Sequence, residues 1–167
     1  MTDWIVRDVH AGDLDAVRRV NAANEPDVGP LDDARIALFT SGSPRFRVVE
    51  VGGAIEGVFV GLTEATDYDS PNYRWFVDRH ERFAYVDRIA LQPAARGLGI
   101  ADALYEEFET WAASTDRPLV CAEVNTVPPN PRSLRFHQRR GYEQVAEIAP
   151  YGGDERVAMV EKHLEPA

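Results

Sequence analysis

The chain has 167 residues, enough for one domain that removes about two thirds of its unfolded surface from water. Its 18 basic and 28 acidic residues give a net charge of −10, which opposes phosphate backbones and anionic membrane faces, excludes nucleic acid as an expected partner and favours cationic ligands. The single cysteine, Cys121, excludes an intrachain disulfide and a cysteine-based zinc cluster, and no metal is expected in the working site.

At the amino terminus, Met1-Thr2-Asp3-Trp4 lacks the charged and then apolar layout of a signal peptide. No apolar stretch approaches the roughly 20 residues of a membrane span, so a cytoplasmic location with no membrane partner is expected. Trp4 to Val9 alternates as a half-buried strand, and Asp13 precedes a helical pattern with Leu14, Val17 and Val20 on one face, ending near Asn21 to Asn24. Pro30 to Thr40 reads as a second helix, broken by Ser41-Gly42-Ser43-Pro44. Phe46 to Val51 and Ile55 to Leu62 form a predicted antiparallel hairpin about Gly52-Gly53.

Between Thr63 and Arg82 the chain turns polar and aromatic, with Tyr68, Tyr73, Trp75 and Phe76 around Asp69-Ser70-Pro71-Asn72, and reads as a long loop that could cover a substrate. Phe83 to Leu91 is the next strand, Leu98 to Ser114 a helix, Leu119 to Val124 a short buried strand and Asn130 to Arg139 a helix. Glu143 to Ile148 and Arg156 to His163 pair about Tyr151-Gly152-Gly153. The order β-α-α-β-β-β-α-β-α-β-β contains no repeat, linker or low-complexity tract, and describes a single α+β (mixed α/β) domain spanning residues 1–167.

The stretch from Asp87 to Ala101 carries most of the chemistry, because an apolar strand runs into a glycine-bearing turn that opens a helix. Amides at a helix start have no intrahelical partner and present about half a positive charge to an anion. Gly97 and Gly99 leave room for phosphates at the amides of about Leu98 to Asp102, and Arg96 adds direct charge. Taken alone, the glycines make no more than a tight strand-to-helix turn. A dinucleotide fold is disfavoured, since the full Gly-x-Gly-x-x-Gly is absent and a helix and hairpin precede the strand in place of a repeated βαβ unit.

The spacing Arg96, Gly99, Ala101 resembles the acetyl-CoA pyrophosphate signature of the GNAT N-acetyltransferase superfamily. Asn130-Pro131-Arg132-Ser133-Leu134-Arg135-Phe136-His137-Gln138-Arg139-Arg140-Gly141-Tyr142 resembles its second motif, Asn…Phe-Tyr-x-x-x-Gly-Phe, and the similarity spans Tyr68 to Tyr142. Within the superfamily it is similar to a subgroup of predicted acetyltransferases without an assigned substrate. The resemblance implies the GNAT fold, a central mixed, mostly antiparallel sheet flanked by helices, with acetyl-CoA as cofactor. It further implies cofactor contacts at Ile89, Ala90 and Leu91 (backbone pairing with the pantetheine arm), at Arg96, Gly97, Leu98, Gly99, Ile100 and Ala101 (pyrophosphate), and at Asn130 and Ser133. His137 stands where many members carry the tyrosine that protonates the departing thiolate. A histidine can give that proton, or it can be satisfied by a helix carbonyl, with Tyr142 as the alternative acid.

For the base, Asp87 and Tyr85 alternate onto one strand face and Glu123 lies on a neighbouring strand; the family's carboxylate falls nearer Tyr85 than Asp87. Asp87 could equally pair with Arg88, and Glu123 could anchor the turn after Asn125. Cys121, among Leu119, Val120 and Ala122, reads as inert packing, which favours direct transfer in a ternary complex over an acetyl-cysteine. Asn24, Tyr73, Trp75 and Glu123 are candidate contacts for the acceptor, with a small-molecule primary amine expected first and a peptide or protein amine second. The rival class is a non-catalytic acyl-CoA sensor. Dimerisation through edge strands or the terminal hairpin is left open.

Overall fold

The computed structural model describes residues 2–167. In chain order the elements are β1 (Trp4–Asp8), α1 (Leu14–Ala23), α2 (Asp33–Gly42), β2 (Arg45–Val51), β3 (Ala54–Thr63), α3 (Pro71–Val77), β4 (Ala84–Leu91), α4 (Ile100–Ser114), β5 (Leu119–Val127), α5 (Pro131–Arg139), β6 (Glu143–Ile148) and β7 (Arg156–His163). Among the described residues, seven strands, mostly antiparallel, and five α-helices give the mixed α/β class expected from the sequence. The backbone divides into two units, the residues up to Leu62 with Val86–Phe108, and Thr63–Tyr85 with Glu109–Ala167. No helix among the described residues is long and apolar enough to cross a membrane.

In the first unit, β1 pairs antiparallel with β2, and β2 with β3, in a register that sets Val48 opposite Val58 about the Gly52-Gly53 turn. β4 lies beside β3. The run Val58 to Leu62 is buried at every position, as expected of a strand covered on both faces. Helix α1 puts Val17 and Val20 fully inside, and α2 starts at Asp32, whose carboxylate accepts the Arg35 amide at 2.8 Å before Ile36 and Phe39 turn inward. Phe108 of α4 packs edge-on against Phe59 at 5.4 Å between ring centres, and a side chain at Gly61 would collide with the Phe108 ring. That close approach explains the glycine in the middle of β3.

In the second unit, β4 pairs in parallel with β5 at Ala84 opposite Val120 and Tyr85 opposite Cys121. β5 then pairs antiparallel with β7, and β7 with β6. The segment expected to be a loop after Thr63 contains helix α3. Ser70 caps it, accepting the Tyr73 amide, and Pro71 occupies its first turn, where the missing amide costs nothing.

Arg7 of β1 ties the first unit's entry together, lying 2.7 Å from Asp13 and 2.7 Å from Glu50. Asp13 also accepts the His10 amide at 2.6 Å. These contacts, the Arg7 hydrogen bond foremost, lower the Asp13 pKa from 3.8 to about 2. A carboxylate whose folded pKa is depressed contributes stability above its unfolded pKa and loses it as pH falls towards the folded value. Asp13→Asn is therefore expected to cost on the order of 1 kcal/mol at neutral pH, after discounting for solvent screening of a partly exposed pair. The difference from wild type should shrink between about pH 4 and pH 2, as read by urea unfolding across that range.

Candidate active site

The end of β4 leads into the phosphate-type turn. The Gln92 amide donates to the Glu56 carbonyl at 2.8 Å, a 3-10 turn follows over Pro93–Ala95, and Ala95 and Ile100 are buried while Arg96, Gly97 and Gly99 face solvent. Gly97 and Gly99 have φ of +74° and +80°, a left-handed backbone that residues with a Cβ rarely hold. A Cβ at either position would meet nothing within 4 Å, so no protein neighbour crowds the turn. Among the described residues, the amides of Gly97 to Ala101 have no backbone acceptor. Such a nest of amides at the start of a 15-residue helix suits a diphosphate.

Arg96 is held at this turn, its Nε donating to the Leu91 carbonyl at 3.0 Å and Nη2 to Asn24 Oδ1 at 3.4 Å. Asn24, expected at the acceptor, thus caps the end of α1 beside Arg96, with its Nδ2 donating to the Val20 carbonyl at 2.8 Å. The Leu91 carbonyl, expected to face a pantetheine arm, is likewise engaged by Arg96. The Asp87 carboxylate, 4% exposed, lies 2.7 Å from Arg88 Nε, and Arg88 Nη1 donates at 2.8 Å to both Asn21 Oδ1 and the Gly29 carbonyl. This is the Arg88 pairing considered for Asp87 beside its candidacy as general base.

In the second unit, Tyr85 Oη donates to Glu123 Oε2 at 2.6 Å, and Asn72 Nδ2 stands 3.5 Å from Glu123 Oε1. Tyr85 is buried and Glu123 half-buried, so the carboxylate is oriented by fixed neighbours. Sequence reasoning placed Tyr85 and Glu123 as candidates and missed Asn72. The Ser70-Pro71 helix start was the signal that would have put Asn72 on an ordered element. Tyr73, the other aromatic candidate for acceptor contact, is buried, and its hydroxyl lies 2.7 and 2.9 Å from the Thr63 and Thr66 carbonyls. Trp75 is half-buried, with the Arg79 guanidinium 3.7 Å above its ring.

Helix α5 begins at Asn130, whose Oδ1 accepts the Ser133 amide at 3.3 Å, so these two expected cofactor residues form the helix cap. His137 is 3% exposed, with Nδ1 2.7 Å from the Ser133 carbonyl and its ring edge-on to Phe136 and Tyr142. Burial lowers its pKa, outweighing the carbonyl bond that raises it. The contact with the Ser133 carbonyl is the helix-satisfied arrangement considered for His137 beside the acid role. The alternative acid, Tyr142, donates at 2.9 Å to Glu109 Oε2, and Glu109 Oε1 also receives Arg140 and Lys162 at 2.9 Å each. Cys121 is buried, and burial first, then the Glu161 and Glu123 carboxylates, push its thiol pKa well up. A thiol held neutral is a weak nucleophile.

The acetyltransferase (GNAT) family model matches residues 15–142, and the chain belongs to that family. It is accordingly an acyl-CoA-dependent N-acetyltransferase with acetyl-CoA as its cofactor, as the two motifs implied. Among solved structures it is similar to Ard1 from Thermoplasma volcanium, with a TM-score of 0.76 at 20% identity, over 97% of this chain and 98% of that one. It is similar to Naa50 from Arabidopsis thaliana, solved with the bisubstrate analogue CoA-Ac-MVNAL, at 0.73 and 15% identity over 95% and 97%. It is also similar to yncA from Salmonella typhimurium, solved with its cofactor acetyl-CoA, at 0.70 and 18% identity over 98% and 95%. These identities bear on the fold, which is the GNAT fold. A search of curated proteins returns no match.

A general acid is worth about 10²–10⁴ in rate. His137→Asn is expected to lower kcat by less than about tenfold and to show its cost as a lower melting temperature. Thiol-release kinetics alongside thermal unfolding check this, and a loss of about a hundredfold or more in kcat with a native melting temperature would restore the acid role.

Proposed function

We propose that residues 1–167 work as a single GNAT domain that acetylates the primary amine of a small, cationic molecule by direct transfer in a ternary complex. Bound acetyl-CoA supplies an acetyl group already activated as a thioester. The turn from Arg96 to Ala101 fits its pyrophosphate, because the left-handed glycines carry no side chain into that space and the helix amides beside them have no backbone acceptor among the described residues. Arg96, anchored at Leu91 and Asn24, adds a fixed positive charge.

The observation that carries the acceptor reading is the 2.6 Å bond from Tyr85 Oη to Glu123. It fixes a half-buried carboxylate that can draw in an ammonium group and take its proton directly or through water, leaving the nitrogen lone pair exposed. Asn72 steadies the other oxygen. The net charge of −10 favours a cationic acceptor on approach. No acid on the chain is required at the departing thiolate, since a thiol pKa near 8.5 makes it a good leaving group at neutral pH. Cys121, buried and neutral, is no acetyl carrier.

Two variants and one panel test this. Gly99→Val should abolish coenzyme A binding, by calorimetry, in a protein that still folds; unchanged affinity would reject the pyrophosphate site. Glu123→Gln should keep that affinity and lose about 10²-fold or more in kcat/KM for the best acceptor from a panel of small amines and amino-terminal peptides. A peptide as best acceptor moves the substrate class to the second choice. Tight coenzyme binding with no amine raising thiol release above background would favour the sensor.

A further inference from the structure

Behind α3 in the second unit lies a cluster that the acetyl-transfer reading does not use. His80 follows α3, its backbone amide donating to the Phe76 carbonyl at 2.9 Å, and its Nε2 sits 2.9 and 3.0 Å from the two oxygens of Glu161. Glu161 on β7 is the direct cross-strand partner of Cys121 on β5, so the two side chains project from the same face of that strand pair. His80 Nε2, Cys121 Sγ and a Glu161 oxygen all lie within 4.8 Å of one another. The Glu161 side chain is 8% exposed and that of His80 is 23% exposed.

Glu161 offers about four lone-pair sites in a nearly buried position, and among the described residues the His80 Nε2 donor is shared by its two oxygens. One nitrogen, one sulfur and one oxygen therefore converge from a loop and two strands.

We propose that His80, Cys121 and Glu161 form a binding site for a divalent, thiophilic cation of the zinc class. Zinc takes nitrogen and carboxylate oxygen at about 2.0–2.2 Å and thiolate sulfur at about 2.3 Å in a tetrahedral array, which sets donors roughly 3.3–3.7 Å apart. The observed cluster reaches that spacing when His80 swings slightly away from Glu161 and the sulfur moves inward, both side-chain adjustments. Binding replaces the thiol proton, which leaves to solvent, and a dication with a thiolate and a carboxylate is neutral, which removes the cost of a buried lone anion. The exposed edge of His80 leaves the fourth position to water. The ion would fasten the chain just after α3 to β5 and β7, a structural clamp separate from the acetyl-transfer chemistry of Glu123.

The full chain, stripped with a chelator, is titrated with Zn²⁺ by calorimetry and with Co²⁺ by absorption. Expected are one ion per chain, a thiolate-to-Co²⁺ charge-transfer band with tetrahedral d–d bands, and a raised melting temperature. Cys121→Ser should remove the band, and both Cys121→Ser and His80→Gln should weaken Zn²⁺ binding by at least about tenfold while coenzyme A affinity is kept. His80 lies at the surface, so His80→Gln carries the test if the cysteine variant does not fold. Absence of stoichiometric binding, binding without the thiolate band, or affinities unchanged in the variants would overturn the site.

Discussion

The chemistry of this molecule depends on a short piece of backbone that cannot satisfy itself. Helix α4 opens from two glycines in the left-handed region, its first amides have no backbone acceptor among the described residues, and Ala95 and Ile100 on either side are buried. Main-chain dipoles held in this way are of the kind that suits a diphosphate. Arg96 contributes charge, but its place is set by the Leu91 carbonyl and Asn24, which makes it part of the frame as well as a ligand group.

Polar groups elsewhere are used in the same way, by fixing one with another. Asp87 and Arg88 neutralise each other in the first unit, and Asn21 and the Gly29 carbonyl complete the guanidinium's bonds. Glu109 gathers Arg140, Tyr142 and Lys162 in the second. Glu123 meets neutral groups, Tyr85 Oη at one oxygen and Asn72 Nδ2 at the other.

The strands, the hairpin at Gly52-Gly53, the terminal β6–β7 pair and the glycine-bearing turn after β4 are legible in the sequence, because apolar alternation and glycine placement are local signals. The family followed from two motifs whose residues lie close together along the chain. What stayed hidden was contact between distant residues. Nothing local links Arg88 to Asn21 or His80 to Glu161, pairs separated by 67 and 81 positions. His137 occupies a motif position, yet its contact with the Ser133 carbonyl one turn back and its burial are not stated by a motif. Helix α3 was missed because aromatic and polar residues in a short stretch masked a Ser-Pro start.

The Glu109 hub has a further meaning for a catalyst that modifies amines. Lys162 is the one lysine in the chain, and its Nζ spends a proton on Glu109 at 2.9 Å beneath the Tyr142 ring. An acyl group on that nitrogen would remove the charge with which it meets the Glu109 carboxylate, so a chain modified there would lose one of the hub's three donors.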